Sequence, residues 1–311
     1  MNLNTYQKVA ITTVLATIFL IFVGGLVRAA GAGLGCPDWP KCFGMWIPPT
    51  SPSELPASFD ASQFNVFKTW TEYINRLVGV MIGLLILATF ALSFRYRKST
   101  PAVFYSSMAA FVLVLFQGWL GGQVVITGLS EWLITIHMLV AMIIMTVLLY
   151  AVFKASEDQI RVSISPHLQK KLYWSGVILL LFTMLQLILG TQVREAIDLI
   201  KDAASVPPRE VWLSQIGAID EYHRTFSWSI FLAGIVVFYF GKWKAKSRLL
   251  GNLSSGIMLV IMVQIALGAG LYYMDMPPAF QVLHLVGIAV MISLNVLLLL
   301  VLRKGMRAQK S

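Results

Sequence analysis

Charge is scarce in this chain. Only 12% of its 311 residues are Asp, Glu, Lys or Arg, against 58% hydrophobic, whereas a soluble domain carries about 25% charge. An ordinary soluble fold is excluded on that ground. Cysteine is scarcer still, with Cys36 and Cys42 the only two, and histidine occurs four times. His167 follows Pro166 in a basic loop and reads as a solvated surface residue. Neither half then offers the three histidines or the cysteine cluster that a zinc site needs. Acidic residues are few, 14 against 24 basic, and the net charge is +10. That excess is confined to particular loops and does not point to nucleic acid.

Long apolar runs are what the chain has in abundance. Eight of them, at about 9–27, 74–94, 102–126, 132–153, 173–193, 223–241, 251–273 and 280–302, reach the roughly 17–25 residues that cross a bilayer as a helix. Only helices and closed barrels satisfy the backbone within lipid, so the expected fold is all-α and integral to the membrane. The first run is long, lacks an Ala-x-Ala cleavage site and has a counterpart in the second half, which distinguishes it from a signal peptide. The loop charges alternate. Arg95, Arg97 and Lys98 follow the second run; Lys154, Arg161, Lys170 and Lys171 the fourth; Lys242, Lys244, Lys246 and Arg248 the sixth; and Arg303, Lys304, Arg307 and Lys310 the eighth. Intervening loops are acidic or nearly uncharged, as at Glu195, Asp198, Asp202, Glu210, Asp220 and Glu221. The positive-inside rule then places both termini in the cytoplasm. Cys36 and Cys42 share the first long outer loop, and five intervening residues with two prolines allow a small closed ring. An oxidising outer face favours a disulfide over metal binding, with two redox-active free thiols as the alternative.

The chain also says nearly the same thing twice. Gln117, Gly121 and His137 recur as Gln264, Gly268 and His284 at an offset of 147 residues, and Asn75-Arg76 recurs as His223-Arg224 at an offset of 148. Gly24 and Arg28 at the end of the first run match Gly190 and Arg194 at the end of the fifth, offset by 166. An even number of helices per half gives both halves the same orientation, a parallel repeat with a pseudo-two-fold axis along the membrane normal. The expected architecture is two four-helix bundles: an N-terminal half at 1–155, with a long outer loop at 29–71, and a C-terminal half at 170–311, joined by a cytoplasmic linker at 156–169.

Asn75, His137, His223 and His284 all fall near the outer ends of their helices. A lone intramembrane histidine is often a structural hydrogen-bonding residue. Recurrence at one offset on duplicated halves instead suits haem, whose iron takes axial nitrogens from facing helices. His223 and His284 are expected to approach each other across the second bundle, with His137 and Asn75 in the equivalent places of the first. Arg28, Arg76, Arg194 and Arg224 near the outer boundary suit either haem propionates or snorkelling to lipid phosphate. Glu72 lies one turn before Asn75, and reads either as a proton-transfer carboxylate at the mouth of an apolar pocket or as an acid favoured by the helix dipole.

Taken together, the Gly-Gly-x-x-Arg ending of the first helix, the Gly-Cys-Pro-Asp-Trp-Pro-x-Cys loop, the Glu-x-x-(His/Asn)-Arg start of the second helix, and the histidines opening the fourth, sixth and eighth helices resemble the haem A synthase family over nearly the whole chain. The resemblance implies oxidation of a haem O methyl group to the formyl group of haem A for terminal oxidases. It implies haem b as cofactor on His223 and His284, and a substrate-haem site with His137, Asn75 and Arg76. It further implies Glu72 as a functionally important carboxylate, and Cys36 and Cys42 as the outer-loop pair. Asn75 departs from the family's second histidine, and the expectation is that His137 alone holds the substrate iron, with one face open for dioxygen. Haem O synthase and cytochrome oxidase assembly are the implied partners, a homo-oligomer is compatible, and a bacterial plasma membrane is the expected location. The competing readings are a di-haem, quinol-oxidising electron-transfer protein and a haem transporter.

Overall fold

The computed structural model describes residues 3–201 and 205–308, so Asp202 and Lys310 lie outside the described residues, and so does the side chain of Arg307. The described residues contain eight helices long and apolar enough to cross a membrane. They are α1 (Thr5–Ala29), α2 (Val66–Ser93), α3 (Pro101–Ile126), α4 (Glu131–Ala155), α5 (Pro166–Lys201), α6 (Ala218–Phe238), α7 (Arg248–Tyr273) and α8 (Pro278–Ala308). All-α is the observed class, and the described residues contain no strand.

Several helices outrun the apolar stretches that announce them. The α2 helix begins at Val66, well before residue 74, because Asn65 caps it by accepting from the Lys68 amide. Glu72 and Asn75 therefore sit inside the helix rather than at its first residue, and the first connecting loop closes at residue 65. The α5 helix begins at Pro166, four residues inside the stretch expected as a linker. Pro is well suited to a first helical position, where its missing N–H costs nothing. At the start of α1, Asn4 and Gln7 form a reciprocal capping box, which satisfies two otherwise orphaned amides.

The chain divides into two compact units, Met1–Ala155 and Ser156–Ser311. In the first, α1 packs on α2, α2 on α3, α3 on α4, and α4 closes back on α1. Its interior is built by Val14, Ile82, Ile86, Ala110, Leu120, Val140, Ile144 and Leu148. In the second, α5 packs on α6, α6 on α7, α7 on α8, and α8 closes back on α5. Its buried side chains include Leu179, Ile230, Ile257, Ile261 and Ile292. Each unit is thus a ring of four helices, and α2/α4 and α6/α8 are the diagonal pairs. Large apolar side chains such as Leu15, Val80, Leu84, Leu181 and Leu259 point outward and are more than half exposed. Apolar surface on this scale in mid-helix needs lipid around it.

Candidate functional site

The connection between α1 and α2 is a built structure. Cys36 and Cys42 are joined by a disulfide with Cα atoms 4.8 Å apart, and both are buried. Phe43 packs edge-on against Phe59 and Phe64, and with Leu55 and Tyr73 these rings make a small core around the bridge. Asp38 accepts from the Phe43 and Gly44 amides at 2.6 and 2.9 Å, which supports the left-handed backbone of both residues (φ 53° and 72°). Trp39 lies against Gly122 of α3, where a Cβ would come within 2.8 Å of the indole.

This loop is fastened to α2 through Glu72 and Arg76. Glu72 is only 3% exposed. Its Oε2 accepts from the Cys36 amide at 2.8 Å, and its Oε1 accepts from Arg76 Nε at 3.1 Å and from Arg76 Nη2. Arg76 Nη1 donates to the carbonyls of Asp38 and Lys41, both at 2.8 Å, and Nη2 donates to that of Cys36 at 3.4 Å. A guanidinium has five N–H groups, and every one here has an acceptor. Thr69 adds a bond to the Gly35 carbonyl at 2.8 Å. Gly35 itself touches the α2 backbone: a Cβ would sit 2.2 Å from the Lys68 carbonyl oxygen. In the second unit Asp220 takes the place of Glu72, buried and bonded to Arg224 Nε at 2.7 Å. The Arg224 guanidinium lies 4.4 Å above the Tyr272 ring and is about half exposed.

His137, His223 and His284 lie inside the rings of helices. His223 on α6 and His284 on α8 face each other across the second unit, with ring centres 6.3 Å apart and planes inclined at 66°. Two imidazoles sharing one metal, at metal–nitrogen distances of about 2 Å each, hold their ring centres roughly 6 Å apart. His137 lies on α4 and Asn75 on α2, the diagonal pair of the first unit. Each histidine ring rests on a glycine of the neighbouring helix. A Cβ at Gly121 would lie 3.3 Å from His137 Cε1, one at Gly190 3.1 Å from His223 Cε1, and one at Gly268 3.6 Å from His284 Cε1. Gly24 faces Asn75 in the same way, 3.9 Å from its Oδ1.

Buried polar atoms are nearly always hydrogen-bonded. The Nδ1 atoms of His137, His223 and His284 and the Oδ1 of Asn75 are buried without a partner. Imidazoles with an unpartnered buried Nδ1 over glycine cradles, two of them at metal-sharing distance, fit a planar iron macrocycle with axial histidines. Among the described residues no group of three or more His, Cys, Asp or Glu gathers for a bare metal ion. A separate cavity of about 490 Å³, lined by Ala196, Leu199, Ile200, Pro207 and Ile216 among others, includes none of the histidines.

Of the other residues singled out in the sequence, Arg194 bonds Gln281 and pairs with Asp198 at 3.1 Å. Arg28 occupies the last turn of α1, and His167 is exposed in the first turn of α5. The sequence reading missed Asp38, Thr69 and Gln186. Asp38 was visible as a member of the Gly-Cys-Pro-Asp-Trp-Pro-x-Cys motif but without a role, and Gln186 was hidden by the different offset of the first and fifth helices.

A family model described as COX15-CtaA, cytochrome oxidase assembly protein, matches residues 7–296. A heme A synthase of Nitrosomonas eutropha is 23% identical over 305 residues, covering 86% of this chain and 85% of its own. One from Exiguobacterium sp. is 26% identical over 264 residues, covering 82% and 79%. One from Shewanella oneidensis is 34% identical over 130 residues, and that match spans only 41% of this chain and 38% of the relative. With a family match across nearly the whole length and eight helices fit to span a bilayer, the chain is a multi-pass membrane protein and belongs to the COX15-CtaA family of cytochrome oxidase assembly proteins.

Proposed function

We propose that this protein is a haem A synthase, an oxidoreductase that converts a methyl group of haem O to the formyl group of haem A for terminal oxidases. The observation that carries the reading is the facing pair His223 and His284, at a separation suited to one shared iron, in a chain of this family. In this reading the second unit holds haem b between those two histidines. Bound there, haem b supplies one-electron redox chemistry. His223 and His284 would hold the group, and the ring of helices around them would keep water from it.

The first unit receives haem O. His137 offers one axial nitrogen; Asn75, a poor iron ligand, takes the place of the other and leaves that face of the substrate without a protein ligand. Arg76, expected beside the substrate, spends all five N–H groups on the loop and Glu72, so it positions the loop instead of gripping a propionate. Glu72 is read likewise as a positioning residue. Both its oxygens are already accepting hydrogen bonds, which leaves it poorly placed to pass a proton. Arg224, bonded through Nε and half exposed, is the best placed of the three propionate candidates Arg28, Arg194 and Arg224. Both termini and the basic loops face the cytoplasm of a bacterial cell, and the disulfide loop faces outward.

Haem extraction tests the reading against that of a di-haem electron carrier. Cells making haem O synthase together with this chain are expected to yield haem A, and cells carrying His137→Ala to yield haem O only. Haem O without haem A in both would leave the electron-carrier reading standing.

A further inference from the structure

Each histidine shares its seat with a glutamine. Gln117 Nε2 on α3 donates to the main-chain carbonyl of His137 at 2.9 Å, Gln186 Nε2 on α5 to that of His223 at 2.9 Å, and Gln264 Nε2 on α7 to that of His284 at 2.8 Å. In all three, the glycine under the ring lies four residues after the glutamine, one helical turn on: Gln117 and Gly121, Gln186 and Gly190, Gln264 and Gly268. The carbonyl can only accept, so it fixes which way each amide faces. The Oε1 of every one of these glutamines is then buried without a partner, as is the Nδ1 of every one of these histidines. At His223 the Gln186 amide also reaches the ring, 3.4 Å from Nε2.

The fourth seat breaks the pattern at two positions together. Its glycine is kept as Gly24 beside Asn75, but the residue one turn earlier, where Gln186 stands in the second unit, is Leu20. Leucine has no group to offer a carbonyl. The helix pair that lost its histidine therefore also lacks the glutamine.

We propose that Gln117, Gln186 and Gln264 are positioning residues for the axial histidines, and that Leu20 and Asn75 act as one unit that keeps the fourth seat from ligating iron. Each glutamine clamps its histidine's backbone to the neighbouring helix, one turn from the glycine that admits the ring, so backbone and ring are located by the same partner helix. Supporting contacts of this kind set how well a ligand grips its metal, and losing one costs about 10–100-fold in affinity. The inference rests on the haem-binding reading above, and two experiments separate them.

In the second unit, Gln186→Met and Gln264→Met keep side-chain length and remove the donor. Haem b loss to excess apomyoglobin is expected to quicken about tenfold, with a shifted midpoint potential, which a purely space-filling role would not produce. A parent protein that holds no haem overturns both readings; a parent with haem and variants of unchanged loss rate and potential overturn the seat alone. In the first unit, the protein is loaded with haem O and its iron spin state is read optically. Leu20→Gln with Asn75→His is expected to convert the first-unit iron to a fully low-spin form, and Asn75→His alone to give a mixture. Equal low-spin fractions in the single and double variants would show that Leu20 takes no part.

Discussion

Glu72→Gln is the perturbation that most sharply tests what the carboxylate does. The side chain is 5% exposed and its Arg76 partner 15%, so the pair is screened little by water. Removing one partner of a buried pair costs about 3–5 kcal/mol. Arg76 keeps three carbonyl acceptors in the loop, and a glutamine oxygen still receives one donor, so the expected cost is nearer ~2–4 kcal/mol on that scale. Placed on the equilibrium between docked and undocked loop, at about 1.4 kcal/mol per tenfold, this raises the undocked fraction roughly 30- to 1,000-fold. The Cys36–Cys42 bridge is buried, at 0% and 1% exposure, so reduction by a bulky phosphine reports undocking directly. Faster reduction in Glu72→Gln, with haem A formation falling in parallel, is the expected result. Reduction at the parental rate with haem A formation abolished would refute the positioning role and make Glu72 a group that acts on the reacting centre.

Three further outcomes follow from the same geometry. Gly35→Ala places a methyl group 2.2 Å from a backbone carbonyl, with no flexible side chain to give way, and is expected to raise bridge reduction at least as much as Glu72→Gln. Gly190→Ala crowds His223 at 3.1 Å, whereas Gly268→Ala meets His284 at an ordinary 3.6 Å; haem b retention should fall in the first variant and survive in the second. A cysteine placed at exposed Trp46 should react with an impermeant maleimide added outside intact cells, and one at exposed Trp243 only after lysis.

The helices were legible because lipid demands long apolar runs, and each of the eight runs became one helix. Their ends were less legible, since polar caps and first turns fall outside an apolar window. The α2 helix, capped by Asn65, starts at Val66, a full two turns before the apolar run that announces it. The histidine pairs were legible as a repeat. Gln117 and Gln264 were visible in that repeat too, but their partner is a backbone carbonyl on another helix, which no residue pattern displays. The Glu72–Arg76 clamp was not legible for a related reason. Its acceptors are main-chain atoms of a loop some forty residues away along the chain, brought together only by the closing of the disulfide loop onto α2.

In the proposed division of tasks, a closed, bis-histidine haem would occupy the second unit and a substrate haem would rest on His137 alone in the first. Electron paramagnetic resonance of the ferric protein loaded with haem O tests it most directly. The expected result is a low-spin signal that survives His137→Ala and vanishes in His223→Ala or His284→Ala, beside a high-spin signal lost in His137→Ala. A single low-spin population lost equally in all three variants would contradict it.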